Sequence, residues 1–113
     1  MEHAISFVPA VISDGETSTG LIKLLMGESV VAIYHDDTLE GASLSIKSSP
    51  KEDAAMLADI VITATPYAVA VDDSKAEHLP LDTEIMGAVR FLSIESNVAQ
   101  TGDTTLYLAV RSV

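Results

Sequence analysis

Histidines, acids and serines are the residues here that could do chemistry, and their spacing decides which chemistry is open to them. The three histidines, His3, His35 and His78, stand far apart in the chain. None pairs with another at the i, i+4 spacing of a helical metal site, and none belongs to a zinc motif. Only His35 is followed by two consecutive acids, Asp36 and Asp37. Carboxylate oxygens suit hard cations, so this triplet would be the seed of a divalent site. The commoner role of such a triplet is a solvated turn, and Asp72-Asp73 reads the same way. An Asp-x-Asp-x-Asp-Gly calcium loop is absent. Among the serines there is no Gly-x-Ser-x-Gly elbow to present a nucleophile. The six glycines stand singly, so no glycine-rich loop cradles a phosphate. The 17 acids always offer some pair in space for glycoside hydrolysis, but nothing singles one out. The expectation is therefore no catalytic residue, no metal site, no cofactor, and a protein that is not an enzyme.

Charge and composition narrow the partners. Seventeen Asp and Glu face six Lys and Arg, for a net charge of −11. Phosphate contacts depend on Lys and Arg, so neither nucleic acid nor an anionic membrane surface is an expected partner. An acidic surface favours solubility, and it also suits a basic protein partner. There is no cysteine, so neither disulfides nor thiolate ligands exist. No apolar run is long enough to span a bilayer as a helix. The N-terminus has Glu2 and no Lys or Arg before its apolar run, unlike a signal peptide.

The elements that would position any site are short strands. At 113 residues the chain reads as a single domain, 1–113, able to bury about 65% of its unfolded surface. Hydrophobic residues make up 48% but aromatics only 4%, so the core must be Val, Ile, Leu and Ala. The clearest signal lies at the C-terminus. Leu92 and Ile94 alternate with Phe91, Ser93 and Glu95; Leu106, Leu108 and Val110 alternate with Tyr107, Ala109 and Arg111. Period-two alternation marks strands with one buried face. Gln100-Thr101-Gly102-Asp103 between them predicts a hairpin turn, making the two runs an antiparallel pair.

Ala4 to Ile12 reads as a first strand. Pro9 cannot donate to a ladder, so residues 1–12 are expected at a sheet edge or as an assembly arm. Thr19 to Leu25 is a second strand, and Ser29 to Tyr34 a central one covered on both faces. Ala42, Leu44 and Ile46 point inward, alternating with Ser43, Ser45 and Lys47. Ala54 to Ala58 leaves room for about one helical turn. Ile60 to Thr65 is a strand that Pro66 limits, Tyr67 to Val71 another. Asp82 can cap a single turn over Asp82 to Met86. Seven to nine short strands with at most a helical turn predict an all-β, antiparallel, jelly-roll-like β-sandwich. Its expected core is Ile33, Leu44, Ile46, Leu92, Ile94, Leu106, Leu108 and Val110.

The order of several blocks resembles a group of small virion structural proteins of tailed bacteriophages. These are the Ser13-Asp14-Gly15-Glu16 turn, Ser29 to Tyr34, Gly41 to Ile46, Leu79 to Asp82, Gly87 to Ile94, Val98 to Gln100 and Thr105 to Arg111. The resemblance spans Ser13 to Val113 and departs from the pattern near Leu25-Met26 and over Ala54 to Asp59. It implies a head decoration or cement protein on the outer surface of the capsid, made in the host cytoplasm and bound to the major capsid protein. It also implies a homo-oligomer, with a trimer favoured. A tail or fibre component is the alternative. Arg90-Phe91-Leu92 is similar to galactose-binding jelly-roll domains, which implies a carbohydrate-binding module as a further alternative. The expected subunit contacts are Ile5, Phe7 and Val8 of the N-terminal run, with Phe91 and Tyr107 on the outer face of the C-terminal pair.

Overall fold

The structure is a computed structural model that describes residues 4–112; His3 lies outside the described residues. Eleven strands follow in order, with one 3-10 turn at Ala54–Met56 and one helical turn, α1, at Thr83–Met86. The strands are β1 (Ala4–Ile12), β2 (Ile22–Lys23), β3 (Glu28–His35), β4 (Ser43–Ser49), β5 (Ala58–Asp59), β6 (Val61–Ile62), β7 (Thr65–Pro66), β8 (Ala68–Ala70), β9 (Glu77–Pro80), β10 (Phe91–Ser96) and β11 (Thr104–Ser112). They form an antiparallel β-sandwich. One sheet has the order β1-β11-β3-β9, the other β2-β10-β4-β5 with β8 also on β4, and β6-β7 is a separate small hairpin.

The inward faces of the two sheets supply the core. All eight residues expected there are buried, with Ile33, Leu44, Leu92, Ile94, Leu106 and Leu108 wholly so. Ala10, Ile12, Leu24, Val30, Leu39, Leu81, Met86 and Val89 complete it. Each large aliphatic side chain so buried contributes about 1.5–3 kcal/mol. β1 is an edge strand of its own domain, paired with β11 over its full length. The helical turn forms where expected: Asp82 Oδ1 accepts from the backbone N–H of Glu84 and Ile85, at 2.9 and 3.2 Å.

Four expectations fail. β10 and β11 do not pair with each other; they belong to opposite sheets. The reason lies in residues 97–103, which cross between sheets instead of turning tightly. Gln100 is buried. Its side-chain amide donates to Glu40 O (2.9 Å), its Oε1 accepts from Glu40 N (2.9 Å), and its backbone oxygen accepts from Gly15 N (2.8 Å). Those neighbouring loops hold the crossing open. Second, the run Ile60 to Thr65 is no single strand. Thr63 and Ala64 take positive φ (51° and 64°) and fold it into the β6-β7 hairpin. Third, Ala42 is exposed rather than inward, because β4 begins only at Ser43. Fourth, the run Ser29 to Tyr34 is not covered on both faces: β3 is buried on its inner face, but Val31, Ala32 and Tyr34 are only half-covered.

Candidate functional site

Register fixes which side chains share the outer face of the first sheet. Phe7, Ala109, Ala32 and Pro80 form one cross-strand row, and Pro9, Tyr107, Tyr34 and His78 the next. Ile5 lies beside Arg111 and Ser29 in a further row. Leu106, Leu108 and Val110 point into the core, so their alternates on β11 must point away from it. Phe7 and Ile5 are about half exposed, at 53% and 52%, and Tyr107 at 40%. His78 packs edge-on against Tyr34 (centroids 5.3 Å) and Phe7 (5.9 Å), and Tyr34 leans on Tyr107 (6.2 Å). The result is a nearly uncharged, aromatic sheet face open to solvent.

Of the five expected contact residues, Ile5, Phe7 and Tyr107 come together on this face. Val8 does not join them: it pairs with Leu108 and points to the inner side of β1, though it stays exposed. Phe91 is elsewhere altogether. It lies on β10 in the second sheet, half-buried, with the Arg90 guanidinium 5.6 Å from its ring centroid. The shared outer face predicted for Phe91 and Tyr107 depended on a hairpin that does not form.

Other contributors were missed in the sequence. Tyr34, His78 and Val11 extend the face, and the alternation Ile5, Phe7, Pro9, Val11 was the signal for its β1 row. Two further apolar exposures stand apart from it. Leu25 and Met26 form the tip of the β2–β3 turn, Met26 being 86% exposed. Met56, Val61 and Ile62 project from the segment around the β6-β7 hairpin.

At the opposite end of the sandwich the loops are acidic and tied together. His35 is wholly buried. Its Nδ1 donates to Asp36 O at 2.8 Å, while Nε2 is hydrogen-bonded to Glu77 Oε1 at 2.8 Å. Glu77 Oε1 also accepts from Asp72 N (2.8 Å). That backbone donor, with His35, holds the Glu77 carboxyl below its ordinary range. Ser74 does the same for Asp72, and Thr38 for Asp36. A shallow cavity of about 650 Å³ lies beside these loops, between Glu40, Asp72, Asp73 and Asn97.

The hydrogen bonds of this arrangement tie neighbouring loops together. With both ring nitrogens engaged, His35 has no lone pair free to ligate a metal or to take a proton from a substrate. Asp36 faces Thr38 instead of joining His35 around a cation. No group of three metal-ligating side chains occurs among the described residues. Ser48 and Lys51 have Ser-x-x-Lys spacing, but they sit at the end of β4 and in the turn after it. That spacing brings two side chains onto one face on a helix, not on an extended chain.

Comparison with models of known protein families found no match, and neither did comparisons with curated proteins and with solved structures.

Proposed function

We propose that this chain is a non-enzymatic virion structural protein of a tailed bacteriophage, a head decoration protein that binds the major capsid protein and stabilises the shell. The observation that carries this reading is the distribution of exposed apolar side chains. Most of them form three separate surfaces: the outer face of the first sheet, the Leu25-Met26 tip, and the Met56, Val61 and Ile62 projection. Exposed apolar patches of this kind mark interaction sites on soluble proteins. A lattice protein needs several contacts at once, with the shell beneath and with its neighbours. The block resemblance over Ser13 to Val113 points the same way.

Charge supports an external position. A net −11 keeps a many-copy protein soluble before assembly and disfavours contact with packaged DNA. Reinforcement then follows from mass action, since a ligand of the assembled lattice alone opposes disassembly. Phe91 and Tyr107 lie in different sheets and cannot together stack on one sugar. The test compares particles with and without this protein under heating and osmotic shock. The decoration reading expects earlier DNA release from particles that lack it. Equal release, with the protein located on the tail by a particle map, would replace it with the tail reading.

A further inference from the structure

We propose that the outer face of the first sheet is a self-association surface, on which a second copy of this chain packs face to face about a twofold axis. The inference rests on the many-copy structural reading above and names the partner for one of its surfaces.

The first argument is charge. Strands β1 and β11 contain no carboxylate at all. On β3 and β9 the two carboxylates, Glu28 and Glu77, are turned away. Glu28 accepts from Leu25 N, and Glu77 reaches the buried His35. The outward residues of the sheet therefore carry no negative charge in a protein of net −11. The acids are concentrated at one end instead. Loops 13–17, 36–42, 71–77 and 97–103 hold nine of the 17 carboxylates against a single basic residue, Lys75. These loops are bonded to one another, through Gly15 N to Gln100 O, Glu40 N to Gln100 Oε1 and Gly41 N to Asp73 Oδ2. Two such molecules repel each other through their loop ends and meet without repulsion on this face. A twofold axis lying in the contact and crossing the strands sends the two acidic ends to opposite extremes. A basic partner, by contrast, has its attraction at the loop end and nothing to hold it here.

The second argument is shape. Pro9 interrupts the donors of edge strand β1, which blunts edge-to-edge pairing and leaves the face as the usable surface. Four strands about 4.8 Å apart and up to nine residues long make a face of roughly 20 by 30 Å. That is at most about 600 Å² per partner, the low end of specific interfaces at about 1,200 Å² in total. The aromatic residues it presents, Tyr107 and Tyr34 on its central strands and Phe7 on edge strand β1, include the types that anchor interfaces. A contact that uses one patch on both partners closes as a dimer.

The test uses the full chain in solution, free of capsids. Sedimentation equilibrium is expected to show a monomer–dimer equilibrium. Phe7→Glu and Tyr107→Glu should each weaken it by roughly tenfold or more, while Val61→Glu on the distant hairpin leaves it unchanged. Circular dichroism and thermal melting check that each variant is folded. The chain has no native cysteine, so Tyr107→Cys gives a second readout. Mild oxidation should convert it to a disulfide dimer, and the Val61→Cys control should remain uncrosslinked. A wild-type monomer at about 100 μM, a concentration well above the Kd of ordinary specific interfaces, overturns the proposal. So does a trimer, or association that survives both glutamate variants. Particle stability is not part of this measurement, so the decoration reading stands or falls separately.

Discussion

Phe7 and His78 lie on the two edge strands of one four-stranded sheet, yet their ring centroids are 5.9 Å apart, at an interplanar angle of 69°. Three strand spacings separate those edges, about 14 Å. The contact is possible because Ala109 and Ala32 fill the row between Phe7 and β9. Their methyl groups leave a trough, and the Phe7 ring lies across it. Ala109 is only 4% exposed as a result, although it points away from the core. Small residues in the middle of the sheet thus let two edges touch over its outer face.

Enlarging the trough residue should undo this contact. Ala109→Leu is expected to lift the Phe7 ring away from His78 and to cost about 1–3 kcal/mol through overpacking. Chemical denaturation reads the stability, and the loss of ring-current shifts on the His78 imidazole protons reads the geometry. Unchanged shifts would mean that Phe7 does not lie across Ala109.

The core predicts a larger effect. Leu108 is wholly buried between the sheets, flanked on its neighbouring strand by Ile33. Leu108→Ala should destabilise by about 2–5 kcal/mol, the range for a large-to-small change in a packed core. Equilibrium unfolding in urea measures it, and a loss below about 1 kcal/mol would show that the site collapses around the cavity.

The inward face of each strand was legible because burial imposes period two on residue type, as at Leu106, Leu108 and Val110. Which strands pair was not legible. Leu92 and Ile94 look the same whether their neighbour is β11 or β4, because both partners offer an apolar inner face. What decided it was Gln100, whose amide is buried against Glu40 60 residues away. Nothing local in Gln100-Thr101-Gly102-Asp103 distinguishes that from a hairpin turn. The outer-face site was half visible for the same reason. Ile5 and Phe7 stood out as apolar residues on an edge strand, whereas Tyr34 and His78 join them only through the β3–β9 register. The His35–Glu77 pair spans 42 residues and left no local pattern.

The β6-β7 turn should respond to better turn chemistry. Thr63 and Ala64 occupy positive φ at 51° and 64°, where a Cβ costs about 1–2 kcal/mol per residue and Asn and Gly are tolerated best. Replacing the pair by Asn-Gly (T63N/A64G) is expected to raise stability by about 1 kcal/mol or more, read as an upward shift in Tm. A fall in Tm would mean that the two side chains make contacts worth more than the backbone strain.

Acid should release the loop end before the core. Glu77, Asp36 and Asp72 all have folded-state pKa values below their ordinary ones, 4.5 for the Glu and 3.8 for each Asp. A carboxyl of this kind contributes stability that is fully present above the unfolded value and lost as pH falls through the lowered one. Stability should therefore hold from neutral pH to about 4.5 and then decline. Amide exchange at Asp72, Ser74 and Thr38, whose N–H groups bond to these carboxylates, should quicken in the same window. Glu77→Gln should flatten part of the decline. An acid limb unchanged in that variant would remove Glu77 from the account.

Gly41 tests how the acidic loops are held to the sheet. Its φ is +123°, and a Cβ built there would meet Asn97 Oδ1 at 2.5 Å, too close to coexist. That same oxygen accepts from Ala42 N (2.8 Å) and Ser43 N (3.3 Å), at the very start of β4. Gly41→Ala therefore imposes two penalties: a backbone conformation L-residues avoid, and displacement of the Asn97 side chain that anchors β4. The expected loss exceeds about 1 kcal/mol. Asn97→Ala alone removes the two hydrogen bonds and should also destabilise, by about 1–2 kcal/mol. The double variant separates the penalties, because the clash disappears with Asn97 while the backbone term remains. Its loss should be smaller than the sum of the two single losses, but larger than that of Asn97→Ala. Full additivity in a double-mutant cycle by urea denaturation would mean that Asn97 does not occupy the space above Gly41.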